Sequence, residues 1–180
     1  MSSMESYMIT KCVQVLKYIV KELTRLGIKP DIYKVLKMLY LADRIHLLKW
    51  GKLIAPDNYV KMAHGPVPSL CFSIIRFVQG KNNKFDSAIK KEFKILKNDK
   101  LRNLTEPNSR YLSKSNIECL EEAIKNYGHL DSNQLEEETH DKIYKSAKNR
   151  NITVLDMAEV LDKSGLLTKH LLTTYPYTVL

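Results

Sequence analysis

The chain has 180 residues, of which 44% are hydrophobic and 27% charged, a soluble globular balance that can bury one core without disulfide or metal staples. A formal net charge of +9 is open to nucleic acid, anionic lipid or an acidic protein as partner, and excludes none of them. Three scattered cysteines (Cys12, Cys71, Cys119) exclude a disulfide framework and a zinc knuckle and point to a reducing cytoplasm; no secretory signal opens the chain, and no apolar run nears the roughly 18 residues of a membrane span.

In chain order, Ile9, Cys12, Val13, Leu16, Ile19, Val20 and Leu23 recur at three-and-four spacing, which predicts an amphipathic helix over 8–26 stopped by Gly27. Asp31 is a candidate N-cap for a second helix over 32–50, apolar nearly all round from Val35 to Trp50 and therefore expected at the centre of the fold. Residues 52–66 read as irregular, with a short strand at Tyr59–Met62. Pro66 and Pro68 bracket a helix start near Val67, and Leu70, Ile74, Phe77 and Val78 carry that helix to Gly80.

Segment 81–104 holds eight Lys/Arg against three acids, and 93–104 has the pattern of a small hairpin. Ser113 or Ser115 opens a helix that Gly128 closes, with capping-box spacing from Ser115 to Glu118. Asp131 starts an acidic helix to about Tyr144, and Thr153 one to about Leu161. No repeat or linker interrupts the chain. The pattern predicts one mainly α domain over 1–180, compact and helical, with a short strand or hairpin between helices.

Chemistry has little support. Cys71 and Ser69 follow His64 at a helix start, but Cys71 sits among apolar neighbours and no nucleophile-elbow glycines flank Ser69. Asp43 with His46, and Glu137 with His140, have the three-residue spacing of carboxylate–histidine metal pairs; the two further glutamates a di-iron bundle needs are missing. No catalytic residue, metal or cofactor is expected. His64-Gly65-Pro66 reads instead as a rigid corner, with a ring that can hydrogen-bond and a glycine free to take an unusual φ.

These residues also carry a resemblance. The stretch KVLKMLYLADRIHLLKWGKLIAPDNYVKMAHGPVPSLCFSIIR, residues 34–76, resembles the Panacea, or SocA-like, antitoxin domain. The elements that match are Lys37, Tyr40, Ala42, Asp43, Arg44, Leu47, Trp50-Gly51, Tyr59 and His64-Gly65-Pro66-Val67, with Trp50 where tyrosine or phenylalanine is more usual. The likeness continues through Leu112-Ser113, Tyr127-Gly128, Leu135 and Thr139-His140, and so covers about residues 8–160.

The resemblance implies a bacterial or phage antitoxin that neutralises a cognate protein toxin by direct binding. One branch of the family delivers its toxin to an ATP-dependent protease. It implies no catalytic residues, so Lys37, Tyr40, Asp43, Arg44, His64, Gly65, Pro66, Val67 and His140 are expected to set the fold first and to touch toxin second, with His64, Asp43 and Arg44 locking the bend on the central helix. Residues 1–104 carry 20 Lys/Arg against 8 Asp/Glu, whereas 105–180 carry 9 against 12. The cluster Lys90, Lys91, Lys94 and Lys97 is accordingly the expected toxin-facing patch. Nucleic acid is the alternative partner for the same lysines.

Overall fold

In the computed structural model, which describes residues 3–147 and 150–174, the chain forms eight α-helices and five short strands. The helices are α1 (Ser3–Arg25), α2 (Ile32–Trp50), α3 (Ser69–Val78), α4 (Lys114–Tyr127), α5 (Ser132–Thr139), α6 (Lys142–Ser146), α7 (Val154–Leu161) and α8 (Leu166–Thr174). The strands are β1 (Tyr59–Met62), β2 (Gly65–Pro68), β3 (Phe93–Ile95), β4 (Leu101–Asn103) and β5 (Asn151–Ile152). The fold is mainly α, with small β elements between helices, as the pattern predicts.

Helix α2 is the hub. The Asp31 carboxylate accepts the Lys34 amide at 2.9 Å to start it, and Gly51, left-handed at φ 66°, donates its amide to the Leu47 carbonyl to end it. Between these caps α2 packs against α1, α3, α4, α5, α7 and β2. With partners on so many sides, its polar side chains cannot all reach water, and Lys37, Asp43 and His46 are buried.

Several buried polar side chains of the core answer one another. His46 Nδ1 donates to the Lys52 carbonyl at 2.7 Å, while Nε2 accepts from Asn116 Nδ2 and Ser115 Oγ, each at 3.1 Å. That set requires the neutral ring, and burial lowers its pKa. The Asn116 side-chain oxygen in turn accepts from the buried Lys11, so α1, α2 and α4 share one polar seam. Lys17, also buried, donates to Glu92 Oε2 (2.5 Å), Thr105 Oγ1 (2.6 Å) and the Glu106 carbonyl (2.8 Å). It fastens the β3–β4 ribbon and the loop after it to α1.

Two small sheets complete the frame. Strands order β2-β1-β5, all antiparallel, with Met62 opposite Gly65 and Tyr59 opposite Pro68. Here the chain departs from the expected helix start near Val67. Residues 65–68 are a strand, and α3 begins at Ser69. Prolines 66 and 68 are tolerated because β2 is an edge strand, where a missing donor breaks no inner ladder. β3 and β4 pair as the predicted hairpin, turning through Asn98 and Asp99 at φ 58° and 55°.

Other boundaries shift for local reasons. The capping box of α4 is Ser113 with Asn116, not Ser115 with Glu118. The acidic helix expected to reach Tyr144 breaks at His140, because Asp141 caps a new start and accepts the Tyr144 amide at 2.9 Å. Helix α8 and strand β5 are not legible in the periodicity. Among the described residues, no helix is long and apolar enough to cross a membrane.

Helix α3 has a remote cap. Its N-cap residue, Pro68, offers no side-chain acceptor, and Asp57 supplies one from the preceding loop. Asp57 Oδ1 accepts Leu70 N (2.8 Å), Asn58 N (2.7 Å) and Ser69 Oγ (3.1 Å), and Oδ2 accepts Cys71 N (2.8 Å). Asp57→Ala would strand these donors, so a loss of roughly 1–3 kcal/mol is expected in urea unfolding, and Asp57→Asn should recover part of it. An Ala variant as stable as wild type would show the cap to be dispensable.

Candidate functional site

The residues singled out by sequence converge on the junction of α2, the β1–β2 hairpin and the α5–α6 corner. Asp43 lies deepest and is fully buried. Its Oδ1 accepts the Ile54 amide at 2.6 Å and its Oδ2 accepts the Tyr59 hydroxyl at 2.7 Å. Burial pushes its carboxyl up to about 7, against the pull of these donors. One α2 side chain thus holds both the loop after α2 and the first residue of β1.

One turn earlier on α2, Tyr40 stacks edge-to-face on Tyr59 with ring centroids 5.2 Å apart. Its hydroxyl donates to Asp141 Oδ2 at 2.9 Å, and burial drives its pKa upward. Arg44 meets the same carboxylate at 3.1 Å and lies over the Tyr40 ring. Asp141 therefore does two things at once: it caps α6 and ties that helix to α2. Sequence reading overlooked Asp141 because its partners are about a hundred residues away along the chain.

Lys37 is 1% exposed beneath the hairpin, with its ammonium 3.3 Å from the Pro66 carbonyl and 5.2 Å from the Tyr33 ring centre. Burial lowers its pKa to about 8. Gly65 crosses directly above it at φ 102°. A β-carbon there would collide with the Lys37 ammonium and stand 3.0 Å from Thr139 Oγ1 and 3.2 Å from His140 Cδ2. Only glycine fits. Pro66 and Val67 continue β2, with Val67 packed at the edge of the core. His140 stacks on Tyr144, centroids 4.2 Å apart and planes within 4°.

His64 does not lock the bend. Its side chain is 77% exposed in the two-residue hairpin loop, and Nδ1 lies 3.0 Å from Glu136 Oε2 on α5. Asp43 is taken by Tyr59, and Arg44 by Asp141, so the expected His64–Asp43–Arg44 contact is replaced by three separate ties. The reason is register: with Met62 opposite Gly65, residue 64 stands at the hairpin tip, where its carbonyl accepts from the Tyr33 hydroxyl of α2 at 3.4 Å and its ring meets Glu136 on α5.

Where a serine hydroxyl meets a base, the bond joins elements of the fold: Ser115 Oγ on His46 Nε2 (3.1 Å) links α4 to α2, and Ser69 Oγ on Asp57 Oδ1 (3.1 Å) helps start α3. Cys71 is buried, and burial pushes its thiol far up, the inert form. Asp43 and His46 do not converge, since both nitrogens of His46 and both oxygens of Asp43 are used elsewhere. The His140 ring is stacked on Tyr144, with its Nε2 buried and without a hydrogen-bond partner among the described residues. Among the described residues, Cys12, Asp57 and Cys71 are grouped closely enough to hold a metal. The Asp57 oxygens, however, are already occupied by four donors, three of them from the start of α3 and the fourth the Asn58 amide. Lys90, Lys91, Lys94 and Lys97 lie exposed on the β3–β4 ribbon and the turn before it, and none of them is a partner in the bonds described above.

Two variants separate structure from surface. Asp43→Ala should cost about 1–3 kcal/mol by leaving buried donors unmatched, whereas His64→Ala should stay within about 0.5 kcal/mol of wild type. Because folding raises the Asp43 pKa to about 7, its contribution is complete at acid pH and falls as pH rises through that value. The stability of Asp43→Asn relative to wild type should therefore improve as pH rises from the ordinary carboxylate range to about 7, then level off. Chemical unfolding across that range checks the sign.

The family model for the SocA-like antitoxin, Panacea domain, matches residues 35–143, which run from the first turn of α2 into α6 and contain the junction except for Tyr33 and Tyr144. No curated protein and no solved structure matches the chain. With the matched region covering more than half of its length, the chain belongs to the SocA-like antitoxin, Panacea domain family.

Proposed function

We propose that this protein is the antitoxin of a bacterial or phage toxin–antitoxin pair and neutralises its toxin by direct protein–protein binding. The observation that carries this reading is the family match over 35–143, on a junction where Asp43, Tyr40 and Tyr59 are held in internal bonds. Lys37, Tyr40, Asp43, Arg44, Gly65 and His140 shape the surface; His64 and Glu136 stand on its rim. Delivery of the bound toxin to an ATP-dependent protease is a compatible extension.

The lopsided charge contributes to encounter. Residues 1–104 are strongly basic and 105–180 weakly acidic, so an acidic toxin would be steered to the positive half, where Lys90, Lys91, Lys94 and Lys97 stand exposed. Steering of this kind fades over a screening length of roughly 8 Å at 0.15 M salt.

The test begins with the neighbouring reading frame. Its product, expressed alone, should arrest growth, and co-expression of this chain should restore it. In binding kinetics, reversing Lys90, Lys91 and Lys94 to glutamate should slow association about tenfold at low salt and change dissociation much less. Failure of co-expression to protect would sink the antitoxin reading; an unchanged on-rate would sink only the steering.

A further inference from the structure

The β3–β4 ribbon keeps like charges together where the fold has no use for them. Lys94 and Arg102 are directly opposite across the ladder, both exposed, a pairing that destabilises a hairpin. All eight Lys/Arg of segment 81–104 are exposed, and among the described residues none has a carboxylate within ion-pair distance.

The local acids are turned to other tasks. Asp86 accepts the Ala88 amide at 2.7 Å, Asp99 accepts Gln79 Nε2 at 3.3 Å, and Glu92 is drawn to the buried Lys17 at 2.5 Å. Apart from Lys90, whose ammonium lies 4.8 Å from the Phe77 ring centre, the face presents positive charge with no ion-pair partner among the described residues.

Its composition narrows the partner. Protein interfaces are anchored by Trp, Tyr and Arg and are poor in lysine, whereas this face has seven lysines and one arginine. Its two aromatics are turned inward: Phe93 is 1% exposed, and Phe85 packs edge-on against Phe77. Stacking of single-stranded bases has no platform here. Lysine ammoniums on flexible stems suit an array of phosphates that needs no base reading.

We infer that the β3–β4 ribbon and the turn before it form a docking surface for the phosphodiester backbone of a nucleic-acid duplex, bound without sequence preference. Long-range steering of a toxin needs only the field of the positive half, so this contact is independent of the antitoxin reading.

The test uses the full-length chain without toxin. Fluorescence anisotropy is measured with a labelled 20-bp DNA duplex, the same duplex in RNA, one of its single strands, and poly-glutamate, from 50 to 200 mM NaCl. If the ribbon neutralises about four phosphates, the log–log salt slope on B-DNA is roughly −3.6, about a hundredfold loss of affinity over that range. Lys91, Lys94 and Lys97 all changed to Glu should lower duplex affinity at least tenfold at 50 mM salt. Lys94→Glu alone should weaken duplex binding yet raise Tm by about 1–2 °C, since it turns a repelling cross-strand pair into an attracting one.

The DNA and RNA arms tell the B-form from the A-form source of the same phosphate chemistry, and binding of either supports the inference. No duplex binding at 50 mM salt would overturn it. So would duplex affinity untouched by the triple change, poly-glutamate bound as tightly as the duplex, tighter binding of the single strand, or a Tm that does not rise in Lys94→Glu.

Discussion

The Asp43 carboxylate is taken wholly out of water, so its oxygens have to be met by the chain itself, and the groups that meet them determine the path of everything after α2. The Ile54 amide fixes the irregular loop and the Tyr59 hydroxyl fixes the start of β1. Once Tyr59 is placed, its ring meets Tyr40, the register of the hairpin sets Gly65 over Lys37, and the edge strand delivers the chain to α3. A buried carboxylate is a poor source of net stability, because desolvation offsets most of what its bonds contribute. Its effect here is to make one path of the loop far better than its alternatives.

The same principle recurs at two neighbouring points. Asp57 starts α3 from the loop that Asp43 holds, and Asp141 starts α6 while binding Tyr40 and Arg44 of α2. Each of these carboxylates joins a local element to a distant one. The acids and tyrosines that look like an active site in a linear reading are thereby used in joining α2, the hairpin and α6. What is left for a partner is the rim and the surfaces beyond it.

The lysine-rich ribbon is held by a separate set of ties, meeting the start of α2 where Lys100 pairs with Asp31 in an antiparallel bridge and the Leu101 amide donates to the Pro30 carbonyl at 2.9 Å. It is fastened to α1 through Lys17, whose three bonds replace the water its buried ammonium has lost. That fastening turns Glu92 inward and leaves the outer face cationic. Stability and surface charge are thus set by one interaction: the glutamate that could have offset the lysines is used to hold the ribbon in place.

The helices α1, α2, α3 and α4 were legible in periodicity and caps because three-and-four spacing and residues such as Asp31 and Ser113 act within one or two turns. The centrality of α2 followed from its lack of a polar face, and the hairpin at 93–104 from its turn residues. Residues 65–68 were misread because prolines signal a helix start locally, and only pairing with β1 makes them an edge strand. The partners of Asp43, Tyr40, Arg44 and His64 were decided by tertiary structure alone. A carboxylate's donors are chosen by what the fold brings within about 3 Å, and neither spacing nor composition records that Asp141 would reach Tyr40 while His64 would turn outward to Glu136.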